Sequence, residues 1–130
     1  MVHEITLKSG KREEFINVDH LIRDAIKNSG VKEGKLTLFV PHTTAALTIN
    51  EHADPSVLHD IISTIGTLIP RAGNYQHAEG NSDAHIKASL LGQSHTLIIK
   101  DGRPLLGTWQ SVFFCEFDGP RTRRLILHID

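Results

Sequence analysis

The apolar residues of this chain come in short, β-rich runs rather than long helical stripes, and that spacing most restricts its fold. Residues 35–40, 45–50, 96–100, 105–117 and 123–129 each read as a strand bounded by turn residues. Residues 3–9 and 13–18 alternate apolar and polar side chains around Ser9-Gly10-Lys11, the pattern of a hairpin. Helical signals are fewer. Asp19 stands as the N-cap of a helix through Asn28, with Leu21, Ile22, Ala25 and Ile26 on one face and Gly30 as the stop. Asp54-Pro55 joins an N-cap to a proline at the first helical position, and Val57, Leu58, Ile61, Ile62, Ile65 and Leu68 follow at helical spacing until Pro70. Residues 71–81 lack periodicity and read as an ordered loop. Asn81 or Ser82 then caps a short helix to Leu91, ended by Gly92. The pattern predicts an α+β fold: a mostly antiparallel β-sheet or barrel-like sandwich with a few helices, in a single domain over residues 1–130.

At 130 residues the chain can build a core without disulfide staples, and its 39% hydrophobic and 22% charged residues suit a soluble globular protein. A formal charge of −1 gives no basic footprint for nonspecific nucleic-acid binding. Cys115 is the only cysteine, which rules out an intrachain disulfide and a Cys-rich zinc site. It sits in Val112-Phe113-Phe114-Cys115 and reads as a small buried hydrophobe. The Met1-Val2-His3-Glu4 start lacks a charged-then-apolar leader, and no apolar run nears the roughly 18 residues of a membrane span. The expected setting is the cytoplasm, with no membrane partner.

Three polar islands interrupt this apolar framework: Pro41-His42-Thr43-Thr44, the stretch from Tyr75 to His85, and Gly107-Thr108-Trp109-Gln110 leading on to Glu116–Arg123. A buried polar group without a partner costs roughly 1–3 kcal/mol, so each island needs partners, structural or ligand. His42 follows a buried strand, with the Thr43 and Thr44 hydroxyls beside it suited to an anion; a turn with a solvated histidine is the alternative. In the second island His77 and His85 flank Glu79 and Asp83. On the expected helix, Ser82, His85 and Ser89 share a face next to Ile86 and Leu90, with His85 near the backbone N–H groups of the first turn. The structural alternative makes Ser82 and Asp83 helix caps and His85 a satisfied core histidine.

Together His42, His77 and His85 would give three nitrogen ligands and an open position, the arrangement of a catalytic zinc. Glu79 or Asp83 would then orient an imidazole from behind. Without a metal the same histidines would serve as general acid and base. Arg121 and Arg123, two apart at a strand start, would present paired guanidinium groups to a phosphate or carboxylate. Their alternative is a surface salt bridge to Glu116 or Asp118. Trp109 would stack on a planar ring or fill core. His3, His20, His52, His59, His95 and His128 read as structural or solvated, and the roles of Glu51, Glu79 and Glu116 stay open.

Read in order, Pro41-His42-Thr43-Thr44-Ala45-Ala46-Leu47, Asn50-Glu51, Asp54-Pro55, the Tyr75–His85 island, Gly107-Thr108-Trp109-Gln110 and Glu116-Phe117-Asp118-Gly119-Pro120-Arg121-Thr122-Arg123 resemble the YjbQ-like family over nearly the whole chain. The resemblance implies a mostly antiparallel β fold, usually a homotrimer. It also implies a secondary thiamine-phosphate synthase activity, condensing a hydroxymethylpyrimidine diphosphate with a thiazole phosphate and releasing pyrophosphate, in a family whose primary role is unsettled. By that resemblance His42, His77, His85, Asn81, Asp83, Trp109, Gln110, Arg121 and Arg123 are site positions. Three functional expectations follow: catalysis by His42, His77, His85 and Asp83; substrate or phosphate binding by Thr43, Thr44, Asn81, Trp109, Gln110, Arg121 and Arg123; and a divalent metal, zinc or magnesium, on His42, His77 and His85. The alternative is a trimeric module that binds a metal or phosphate ligand without turnover.

Overall fold

A computed structural model describes all of residues 1–130. Eight strands and three helices run in the order β1 (Val2–Lys8), β2 (Glu14–Asn17), α1 (Asp19–Ser29), β3 (Gly34–Phe39), β4 (Ala45–Glu51), α2 (Pro55–Leu68), α3 (Ser82–Leu91), β5 (Ser94–Lys100), β6 (Arg103–Pro104), β7 (Gln110–Glu116) and β8 (Thr122–Ile129). The strands form two curled antiparallel sheets. One has five strands in the order β1-β8-β3-β5-β6 and the other three, β2-β7-β4. The mixed α+β expectation is met.

Period-two alternation in β1, β3, β5 and β8 turns Leu7, Leu36, Leu38, Leu97, Ile99, Leu125, Leu127 and Ile129 inward. They meet Leu47, Val112 and Phe114 of the smaller sheet and Ile22, Ala25 and Ile26 of α1 in one core. The opposite face of the smaller sheet is covered too. There Ala46, Phe113, Cys115 and Phe117 pack on Ala84 and Ala88 of α3. Every residue from Ser111 to Phe117 is therefore buried, which explains why the centre of β7, Val112–Cys115, is a continuous apolar run instead of an alternating one.

Several local readings need correction. The first two strands do not form a hairpin: β1 pairs with β8 in one sheet, and β2 pairs with β7 in the other. Alternation identifies a strand but not its neighbour. Asp19 is not an N-cap. It lies inside α1, and its carboxylate accepts from the Val112 N–H at 2.8 Å, tying the helix to β7. The strand expected over 105–117 starts only at Gln110. On α3 the Ser82–His85–Ser89 face lies beside Ile86 and Leu90 as expected, with His85 half-buried, Ile86 and Leu90 exposed, and Ala84, Lys87 and Ala88 buried on the opposite side. Ala84 and Ala88 let the helix approach the sheet closely, and the one long side chain on the inner face, Lys87, is buried against Asp83 and Glu13.

The segment joining the two sheets is held by the tail of the third island. The buried carboxylate of Glu116 takes the Arg123 guanidinium on both oxygens and also accepts from Ser9 Oγ at 2.7 Å. Arg123 Nη2 reaches Thr44 Oγ1 at 2.8 Å, and Arg121 N–H donates to Ser9 Oγ at 2.9 Å. Gly119 is required here by space. A Cβ on it would stand 2.3 Å from the Lys11 carbonyl and 2.6 Å from Ser9 Oγ.

Removing one member of a buried ion pair strands the other charge. Arg123→Ala should lower stability by about 3–5 kcal/mol in denaturant unfolding. Arg121→Ala, which loses only a half-exposed pair with Asp118, should cost about 1 kcal/mol or less. Equal losses would contradict this assignment of the two arginines.

Candidate functional site

Thr44, Asn81 and the Glu116–Arg123 stretch, one part of each island, meet in a polar band; the three histidines do not form a cluster. Asn81, at the start of α3, donates from Nδ2 to Asp118 Oδ2 at 2.9 Å, and Arg121 Nη2 donates to the same oxygen at 3.0 Å. The buried Glu116–Arg123–Thr44 group lies directly behind. Ser82 and His85 follow Asn81 on α3, and His42 is tied to the start of β8 through the Arg124 N–H.

Around the start of α3, Asn74, Tyr75, Gln76, His77, Ser82, His85 and Ile86 line an open cleft of about 390 Å³. The rings of His77 and His85 meet edge to face, with centroids 5.6 Å apart. His77 Nε2 lies 3.7 Å from Glu79 Oε2, beyond hydrogen-bond length. Two imidazoles facing a cleft without internal hydrogen bonds can each give or take a proton from whatever enters it.

His42 is set differently. Its Nε2 accepts the Arg124 backbone N–H at 2.9 Å, so the neutral ring must carry its proton on Nδ1. Burial, then the nearby positive charges of Arg123 and Arg124, hold its pKa below the ordinary imidazole value, against the opposing charge of Glu116. A neutral His42 is thus a hydrogen-bond donor at Nδ1, beside three arginines that are each paired with a carboxylate. His42 and Thr43 line a separate cleft of about 330 Å³ with Phe39, Pro41 and Gln93.

The expected metal set does not assemble within one chain. No group of three His, Cys, Asp or Glu side chains stands close enough to hold a metal ion. His42 and the His77–His85 pair face different clefts, and the Nε2 of His42 is already engaged.

Other expected site residues are structural. Asp83 is fully buried and bound by Arg12 at 3.0 Å and Lys87 at 2.9 Å. Burial pushes its carboxyl up, but hydrogen bonds from Arg12 and Lys87 outweigh that and hold it below the usual carboxylate range. It is a locked anion, not a proton donor. Thr44 and Arg123 are likewise spent on the Glu116 group, so Arg121 and Arg123 do not form one phosphate clamp. Of the two alternatives for these arginines, ion pairing holds: Arg123 with Glu116 and Arg121 with Asp118, the former buried rather than at the surface.

Trp109 and Gln110 fall elsewhere. Ala45 pairs with Glu116 and Glu51 with Gln110, which puts Gln110 at the opposite end of the β4–β7 ladder, about 20 Å from Glu116. Trp109 is 63% exposed there, and Gln110 Oε1 closes a turn by accepting from the Gly107 N–H. Arg12, Glu13 and Lys87, which anchor Asp83, were not legible as site supports; burial of Lys87 on a short helix leaves no periodic signal. Cys115 is buried as expected, and burial raises its thiol pKa well above the ordinary range.

Comparison with known proteins places this architecture. The family described as UPF0047 protein YjbQ-like matches residues 3–130. The chain belongs to the YjbQ/UPF0047 family. A UPF0047 protein of Methanocaldococcus jannaschii is 57% identical over 99% of this chain and 94% of its own length. The YugU protein of Bacillus subtilis, also UPF0047, is 41% identical over 95% of this chain and 94% of its own length. A YjbQ/UPF0047 crystal structure from Clostridium acetobutylicum superposes with a TM-score of 0.96 at 48% identity, covering 98% of this chain and 99% of that one. A structure from Sulfolobus solfataricus, described as YbjQ-like and of unknown function, gives a TM-score of 0.94 at 29% identity, covering 99% and 95% of the two chains. Within this YjbQ/UPF0047 chain, no helix is long and apolar enough to cross a membrane.

The bond from Arg124 gives His42 a measurable signature. Because its folded pKa lies below the unfolded value, the neutral ring adds stability that is fully present above about pH 6.5 and drains as pH falls through the folded value. NMR titration should find His42 protonating below the ordinary imidazole range, with the Arg124 amide shifting in step. A His42 pKa at or above about 6.5 would contradict the geometry.

Proposed function

We propose that this YjbQ/UPF0047 chain is a subunit of a small enzyme acting on phosphorylated small molecules along its polar band. The observation that carries the reading is the His77–His85 pair: two touching imidazoles in an open cleft at the start of α3, neither committed to the protein. Each ring of such a pair can donate from one nitrogen and accept at the other, so the two together offer both roles to a bound molecule. The exposed N–H groups of the helix start, Ser82 and the partly exposed Arg121 offer an anion its contacts. His42 and Thr43 extend that donor surface.

The family resemblance names the first reaction to try, the condensation of a hydroxymethylpyrimidine diphosphate with a thiazole phosphate. The thiazole nitrogen forms a bond to the pyrimidine methylene carbon, and the carbon–oxygen bond to the diphosphate breaks. One imidazole of the pair would protonate the departing pyrophosphate. Purified protein mixed with both compounds should form thiamine phosphate. His85→Ala and His77→Ala should each lower that rate about 100-fold or more while leaving the unfolding midpoint nearly unchanged. Full turnover in both variants would remove the pair from this role.

One observation favours the second reading, a ligand-binding module without turnover. The single thiol is buried and Asp83 is locked between cations, so neither serves the cleft as a nucleophile. Tight phosphate binding with no turnover across a broad set of phosphorylated compounds would decide for it.

The reading includes a homotrimer, supported by α2. That helix has no fully buried residue: Val57, Leu58, Ile61, Ile62 and Ile65 run along it at helical spacing but are only half-buried by the chain, with Leu58 packed on the α3 cluster. Such a row needs a cover. Native mass measurement should give three chains, and Ile61→Glu should yield a folded chain of single mass. An unchanged assembly in that variant would place the contact elsewhere.

A further inference from the structure

The end of β3 remote from His42 carries a second concentration of charge. Arg23, Lys27, Lys32 and Arg103, with Ile26, Val31, Asp101 and Gly102, line a cleft of about 330 Å³. None of the four cations has a carboxylate partner, whereas Arg12, Lys87, Arg121, Arg123 and Arg124 all do. Lys100 borders the adjoining hollow, which shares Asp101 and Arg103 with the first. In a chain of formal charge −1 this gathering is local, not a consequence of composition.

We propose that this cleft is a second anion site, separate from the polar band, which takes a small phosphorylated molecule carrying at least two neighbouring negative charges. Three independent segments supply the cations. Arg23 and Lys27 lie four apart on α1 and so share a face. Lys32 comes from the loop after the helix, and Arg103 opens β6. Attraction to the carbonyl end of α1 accounts for Lys27 in its last turn, but not for cations brought there from two other segments.

The loop under the cleft is pre-shaped. Asp101 and Gly102 both take left-handed backbone angles, φ 53° and 73°, and the Gly102 N–H donates to the Lys32 carbonyl at 3.0 Å. The Lys32 side chain lies over the glycine: a Cβ there would meet its Cδ and Nζ at 3.4 Å. Unpaired like charges around a concavity repel one another and raise its potential, and a polyanion relieves both effects. Asp101 is the one acid lining the space, too few to neutralise the four cations. The volume suits a pyrophosphate-sized group rather than a polymer, and charges confined to one cleft do not track a nucleic-acid backbone.

Pyrophosphate is the probe, added to the intact protein at about 0.15 M salt, where exposed charges are screened beyond roughly 8 Å. Calorimetry should detect binding, and the Gly102 and Lys32 amide signals should move in a two-dimensional NMR titration. The double variant Lys27→Ala/Arg103→Ala should bind at least about tenfold more weakly with an unchanged unfolding midpoint, whereas Arg121→Ala should leave the Gly102 response intact. Unchanged affinity in the double variant would overturn the site, as would a Gly102 amide that does not move in the wild type. Neither result touches the His77–His85 reading, which is judged by turnover.

Discussion

The organisation of this molecule depends on the ion pair between Glu116 and Arg123. It joins the last residue of β7 to the second residue of β8, so it bridges the two sheets, and through Thr44 and Ser9 it gathers two loops at the same point. Burying a carboxylate and a guanidinium carries a desolvation cost of several kcal/mol per ion, so such a pair is no simple source of stability. Its effect is to dictate geometry. Only one approach of the loops satisfies both carboxylate oxygens, and the close fit at Gly119 blocks looser alternatives. Burial pulls the Glu116 carboxyl up, but hydrogen bonds from Arg123 and Ser9 outweigh it, so the group stays ionised and the junction remains charged at neutral pH.

Around that junction, positions close in sequence divide into supports and exposed groups. Asp83 is neutralised by Arg12 and Lys87 on the inner face of α3, while His85, two residues on, turns to the cleft. Arg123 faces the interior and Arg121 the surface. The inner residues position α3 and the loop to β8; the outer ones are left with uncommitted nitrogen atoms. An interior of opposite charges holding a rim of histidine, threonine and arginine suits proton transfer and anion contact.

Strand positions, helix extents and the α+β class were legible because they follow from local periodicity and capping. Gly30, Asp54-Pro55 and Gly92 mark element ends that the structure keeps. Partners were not legible. The alternation in β1 and β2 says nothing of their membership in different sheets, and only the cross-sheet contacts of Ser9 reveal why the turn opens. The site was half visible. Clustering of polar residues found His77, His85, Asn81 and Arg121, but residue type could not tell a ligand-facing aspartate from the buried Asp83. Nor could it divide the third island, whose Trp109–Gln110 portion and Glu116–Arg123 portion occupy opposite ends of one strand.

The two-sided cover on β7 also sets how the molecule opens. From Val112 to Cys115 the backbone of that strand lies under packed side chains on both faces, so its amide protons are shielded by the α3 layer on one side and the main core on the other. The α2 helix has no fully buried residue and only a half-buried apolar row, so it frays more readily than the central strand. Stability is therefore graded, rigid at the central strand and looser at the outer helix.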